Sequence, residues 1–191
     1  MSGIAYLLPG QGAQAVGMGK AFYDRFAESR DVYKRANVHL GFDVAALCFE
    51  GPLEELTKTA QCQPALFVTS VAAFAAFRTF SPSLTPVGAA GLSLGELTAF
   101  ALADSLRFTD ALYLVQARAE AMAECAAHHP GTMLAVIGLG HEASQEICRS
   151  AGVVAANFNA HDQVVLSGTV PAIEEAERLA KANSVKRAVR L

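Results

Sequence analysis

The sequence predicts an α/β chain in two parts. Residues 1–127 read as a parallel-strand α/β region, and 128–191 as a ferredoxin-like β-α-β-β-α-β subdomain. Three observations carry that prediction. Of 191 residues, 52 % are hydrophobic and 17 % charged, a composition that fills a globular core and excludes a disordered chain. A small-residue strand runs through a glycine-flanked serine into a helix at 85–103, the strand–turn–helix unit of α/β folds. After "HHPG" (128–131) the rhythm changes to strand, helix, strand, strand, helix, strand over about 60 residues.

"IAYLLPG" (4–10) reads as a buried strand ending at a Pro-Gly break. Residues 17–39 place Met18, Phe22, Phe26, Val32, Tyr33 and Ala36 at helical spacing. "GPLEELTKTA" (51–60) predicts a short helix with Pro at its start and acids in its first turn. A buried apolar helix over 63–79 comes next, then the strand 85–93, a helix over 94–103 and a longer one over 107–129 that opens at Thr109 and Asp110. The second part reads "TMLAVIGL" (strand), "HEASQEICRSAG" (helix), "VVAANFN" and "DQVVLSG" (strands), "VPAIEEAERLAKANS" (helix) and "VKRAVRL" (strand). The first part shows few strands for a full sheet, so part of it is expected to lie elsewhere.

Several function classes recede. A net charge of −3 argues against nucleic acid, yet leaves room for an acidic protein partner, because docking needs only a local basic patch. The apolar run 65–77 is interrupted by Thr69 and Ser70, is followed by Arg78 and is too short to span a membrane. "MSGIAYLLPGQG" shows no basic leader or cleavage site, so a cytoplasmic protein is expected, or an organellar one after processing. Cys48, Cys62, Cys125 and Cys148 lack a paired spacing and read as reduced, buried thiols, with no metal site.

"AGLSLGEL" (90–97) carries the chemistry. In Gly91-Leu92-Ser93-Leu94-Gly95 the glycines allow a sharp turn that lifts Ser93 out of the strand end. The turn also puts the Leu94 N–H at a helix N-terminus, where it can stabilise an oxyanion. Ser93…Glu96 equally fits a capping box, so the stretch alone leaves nucleophile and cap both open. "LLPGQGAQAVGMG" (7–19) is a glycine-rich loop that matches neither a phosphate-binding loop nor a dinucleotide fingerprint. Its Gln11 N–H is a candidate second oxyanion donor. Arg118 in "LVQARAEAM" shares its helix with the apolar Leu112, Val115, Ala119 and Met122. It is either a solvated charge or a guanidinium placed for bidentate capture of a carboxylate.

Five blocks in this order, "LLPGQGAQ", "CQPALFVTSVA", "GLSLGELTAF", "VQARAEAM" and "NFNAHDQVVLSG", resemble the malonyl-CoA:acyl-carrier-protein transacylase family over nearly the whole chain. The resemblance implies an α/β-hydrolase-like subdomain with a ferredoxin-like subdomain inserted. It implies malonyl transfer from coenzyme A to acyl carrier protein in fatty-acid or polyketide synthesis, through an ester on Ser93. It needs no cofactor beyond the coenzyme A thioester that is the substrate. By the same resemblance the N–H groups of Gln11 and Leu94 form the oxyanion hole and Arg118 clamps the malonyl carboxylate. Gln63 and Met122 line the acyl pocket, and Asn159 is a polar neighbour of the site. Leu92, Ala119 and His161 depart from the commonest family residues at their positions. The basic residues Lys186, Arg187 and Arg190 of the C-terminal stretch become candidates for carrier-protein docking, against a plain reading as a solvated surface.

The family's catalytic histidine lies in a segment resembling "xxPFHS" beyond the ferredoxin-like subdomain. His39, His128, His129, His141 and His161 do not match it, and His161 alone sits on a loop near a family motif. The chain is therefore expected to be a fragment, with its base supplied by a lost C-terminal segment or a second chain. Alone it should transfer poorly and expose apolar surface around 63–77 and 94–103, making it sticky or dimeric. Two other readings stand beside this one. A serine esterase or thioesterase needs only the elbow, and a non-catalytic fragment would bind carrier protein without being acylated.

Overall fold

The computed structural model describes residues 4–191, so the first three residues of the stretch read as leaderless lie outside it. The chain forms two compact units, one ending at Glu124 and the other spanning Cys125–Leu191. Helix α7 (Phe108–His128) runs through the division.

The first unit contains β1 (Ile4–Leu8), α1 (Lys20–Arg25), α2 (Ala27–Leu40), α3 (Val44–Glu50), α4 (Leu53–Thr57), α5 (Thr59–Phe80), β2 (Pro86–Gly91), α6 (Leu94–Leu102) and most of α7 (Phe108–His128). β1 and β2 pair in parallel, with Leu8 opposite Gly91. Strand alternation turns Tyr6 onto Phe74 and Phe77 of α5, at ring-centroid distances of 5.2 and 5.9 Å. It turns Leu7 outward, 80 % exposed, and Val87 of β2 is exposed as well, at 78 %. The strand expected to be buried is thus covered on one face only. The large apolar side chains of 63–77 are buried or half-buried, while Leu7, Phe80, Val87 and Phe100 are exposed. The apolar surface expected on α5 lies instead mainly on the two-stranded sheet and the end of α5.

The helix expected over 17–39 is two helices. Phe26 is extended (φ −118°, ψ 126°) between α1 and α2. Arg30 Nη1 donates to the carbonyls of Tyr23 (2.9 Å) and Asp24 (3.2 Å), which satisfies the end of α1 and makes the break cheap. Val32, Tyr33 and Ala36 enter the core as expected, but Phe22 is 41 % exposed. Pro52 stands at the N-cap of α4, and extended Lys58 separates α4 from α5. Helix α5 has 22 residues and is long and apolar enough to cross a membrane. The run read as too short is only part of it. Half of its most apolar stretch is buried within the chain. Phe67, Leu66 and Val68 of α5 pack with Tyr33, Leu94, Leu112 and Val115 in one core.

The second unit holds β3 (Thr132–Ile137), α8 (His141–Ala151), β4 (Val154–Ala160), β5 (Gln163–Gly168), α9 (Val170–Ala182) and β6 (Arg187–Arg190). The strands lie in the order β4-β5-β3-β6 with every neighbour antiparallel, which is the ferredoxin-like arrangement. Leu134, Val136, Ile147, Leu166, Ile173 and Ala176 make a separate core. Among the four cysteines, Cys48 and Cys62 are buried and Cys148 is half-buried, but Cys125 is exposed on the solvated end of α7, contrary to expectation.

Candidate active site

β2 delivers the chain into a turn at Leu92–Ser93, and α6 starts at Leu94. Ser93 sits at φ 55°, ψ −106°, a conformation L-residues rarely adopt and one that persists only where the surroundings enforce it. Here close packing does so. A Cβ on Gly91 would overlap the backbone of Gly95, and one on Gly95 would overlap the Leu8 carbonyl. The two glycines of the motif let the turn close on itself and on the end of β1.

The capping reading of Ser93 is not realised. Its side chain makes no cap hydrogen bond to α6. Ser93 is exposed, and its Oγ accepts a hydrogen bond from Arg118 Nη2 at 2.6 Å. The Arg118 Nη1 donates to Gln63 Oε1 at 2.5 Å, and Gln63 Nε2 donates to Met122 Sδ at 3.3 Å. Gln63 is fully buried. Four residues from three parts of the sequence thus meet in one hydrogen-bonded chain. Arg118 and Met122 come one turn apart on α7, Gln63 from α5, and Ser93 from the turn before α6. Among the described residues no carboxylate forms a salt bridge with Arg118, whose side-chain partners are the neutral Gln63 and Ser93.

Leu94 is the first residue of α6, so its N–H has no acceptor within the helix. The 9–12 loop lies against the same turn: a Cβ on Gly10 would come within 2.6 Å of the Leu92 carbonyl oxygen, and the Leu92 N–H donates to the Leu8 carbonyl at 3.2 Å. Gln11 is anchored there by its amide, which donates to Thr59 Oγ1 at 3.3 Å. Thr59 escaped the sequence reading, since a threonine opening a helix has no periodicity to mark it.

Asn159 belongs to the second unit. It is the exposed residue at a register shift in β4, between Phe158 and Ala160. Of the basic candidates, Lys186 pairs with Asp162 at 3.0 Å, and Arg190 with Glu177 at 2.7 Å and Glu174 at 3.5 Å. The Lys186 ammonium holds the Asp162 carboxyl below the usual range, as Lys181 and then Arg190 do for Glu177. Arg187 forms no salt bridge among the described residues. No histidine hydrogen-bonds Ser93 among the described residues. His39 lies in the last turn of α2, His128 closes α7 and His129 follows it; His161 occupies the turn after β4, and His141 stacks on Phe158 at 3.9 Å between centroids.

The Acyl transferase domain family matches residues 5–191. The malonyl CoA-acyl carrier protein transacylase of Bacillus subtilis is 40 % identical, covering 100 % of this chain and 61 % of its own length. The chain thus spans about three fifths of that relative. The crystal structure of the corresponding transacylase from Clostridium perfringens superposes with a TM-score of 0.92 at 37 % identity, covering 100 % of this chain and 60 % of the other. A malonyl-transacylase solved in complex with a type II polyketide acyl carrier protein gives 0.93 at 36 % identity, with 100 % and 62 % covered. With the serine turn, the arginine and the buried glutamine in the arrangement just described, the chain belongs to the acyl transferase domain family.

Proposed function

We propose that this chain carries the acyl-accepting centre of an enzyme that moves a malonyl group from malonyl-CoA to an acyl carrier protein. The observation that carries the reading is the 2.6 Å contact of Arg118 Nη2 with Ser93 Oγ, made by a guanidinium with no acidic partner among the described residues. A cation beside the nucleophile suits an acyl group whose free carboxylate lies two carbons from the reacting carbonyl. It suits a simple or a long acyl group less, and an esterase has no use for it. The relatives named malonyl CoA-acyl carrier protein transacylase support the substrate and the partner.

In the first half-reaction Ser93 Oγ attacks the thioester carbonyl and gives up its proton to a base. The tetrahedral oxyanion is held by the N–H groups of Leu94 and Gln11. The C–S bond breaks, coenzyme A leaves as the thiol with that proton, and malonyl-Ser93 remains. In the second, the carrier thiol attacks the ester, and Ser93 recovers a proton as it leaves. Arg118 exchanges Ser93 Oγ for the acyl carboxylate, because a carboxylate brings a full opposite charge and two acceptor oxygens to the guanidinium, where the hydroxyl brings neither. We place the base on a histidine outside residues 4–191, on the same polypeptide or a second one. Arg187 is the foremost docking cation in this reading, since Lys186 and Arg190 are already paired.

Mass spectrometry after mixing with malonyl-CoA tests the reading. A lasting malonyl adduct is expected on Ser93, absent in Ser93→Ala. Without its base the chain should acylate slowly, since general-base catalysis is worth roughly 10²–10⁴-fold. Arg118→Ala should cut the preference for malonyl over acetyl by about 10–100-fold, the worth of charged hydrogen bonds. A wild-type protein that takes acetyl and malonyl equally would sink the assignment.

A further inference from the structure

Gln63 lines no open surface. Its side chain is fully buried, and both ends of its amide are engaged. Oε1 accepts from Arg118 Nη1 and Nε2 donates to Met122 Sδ. The amide can point only this way, because reversing it would set N–H against N–H. Arg118 and Met122 stand four residues apart on α7, so one buried amide spans both side chains of that helix face. A buried polar group is costly to leave unpaired, and the guanidinium is therefore held at its Nη1 edge while Nη2 faces Ser93.

The choice of side chain also matters electrostatically. A carboxylate in the same place would hold the guanidinium as well, but would form a buried ion pair and cancel its charge. An amide oxygen accepts the hydrogen bond and leaves the charge available. We propose that Gln63 is the positioning residue of this site. It is a neutral anchor that aims Arg118 at Ser93 without neutralising it, and so sets the preference for acyl groups bearing a carboxylate. This rests on reading Arg118 as the carboxylate clamp. Gln63 keeps Nη1 tied while the partner of Nη2 changes from Ser93 to the acyl group.

The experiment compares wild type with the isosteric Gln63→Glu and with Gln63→Leu in the full protein. Binding of malonate and of uncharged acetamide is measured by calorimetry, and melting temperature reports folding. KM and kcat are measured for malonyl-CoA and acetyl-CoA. Expected for Gln63→Glu is a loss of about tenfold or more in malonate affinity and a raised KM for malonyl-CoA, with a clearly smaller change in acetamide binding and acetyl-CoA kinetics and a melting transition that shows the protein folded. Gln63→Leu should lower the malonyl preference by releasing the guanidinium, even if it also melts earlier. Full malonate affinity in Gln63→Glu overturns the inference and leaves the clamp standing. So does an equal loss for malonyl and acetyl, which marks a merely structural role. A wild-type protein that does not bind malonate overturns the clamp, and this inference with it.

Discussion

At the residue scale, the turn at Ser93 shows how packing decides between two uses of one side chain. Ser93…Glu96 has the spacing of a capping box, but the positive φ of Ser93 accompanies a side chain that makes no cap hydrogen bond to α6 and takes one from Arg118 instead. The conformation survives because Gly91 and Gly95 have no Cβ to collide with the facing backbone. Gly95→Ala should therefore cost about 3 kcal/mol or prevent folding, since the added methyl meets rigid backbone and not a movable side chain. Urea midpoints of the variant and the wild type measure this. An unchanged midpoint would show that the turn is not closed as described.

At the element scale, α2 and α3 are joined by a reciprocal cap. Asp43 Oδ1 accepts from the N–H groups of Ala45 (3.0 Å) and Ala46 (3.1 Å) and from Asn37 Nδ2 (2.9 Å). Asn37 Oδ1 accepts from the Val44 N–H at 2.9 Å. The Ala46 N–H first, then the Asn37 amide, hold the Asp43 carboxyl below its usual pKa. A lowered folded pKa means a contribution that is complete above the unfolded value of about 3.9, and is lost as pH falls through the lower folded one. Asp43→Ala should cost about 1 kcal/mol at neutral pH. That difference should shrink as the wild-type carboxyl protonates. Paired denaturation curves at pH 7 and near pH 2.5 check both halves.

At the scale of the whole molecule, charge and apolar surface are distributed unevenly. The C-terminal basic stretch looks positive in sequence, but its cations are interleaved with acids. Arg178 pairs with Glu175, Lys181 and Arg190 with Glu177, and Lys186 with Asp162. Such exposed pairs contribute about 0–1 kcal/mol each, but they remove net charge from the surface a partner would meet. Charge reversal at Arg187 should therefore raise KM for carrier protein more than reversal at Lys186, and neither should alter KM for malonyl-CoA. Steady-state kinetics with each substrate varied in turn decides it. Equal carrier-protein KM values for wild type and the Arg187 variant would remove that residue from docking.

Most elements were legible in the sequence because local rules govern them. The β-α-β-β-α-β order follows from period, turn residues and caps, and the serine turn from its glycines. Ser93, Arg118, Gln63 and Met122 were also legible as members of one family pattern. What they do to one another was not. Gln63 and Met122 are 59 positions apart, and Arg118 and Ser93 25. No local period reports that α5 and α7 bring them together. Nor could the sequence show that Leu7 faces outward while Tyr6 meets Phe74, that Phe26 divides a helix, or that acids occupy two of the three docking cations. The sequence by itself determined most of the elements, the serine turn and the family. Only the tertiary structure decided which side chains share hydrogen bonds and which charges stay unspent, because those depend on distances between segments that local propensity does not encode.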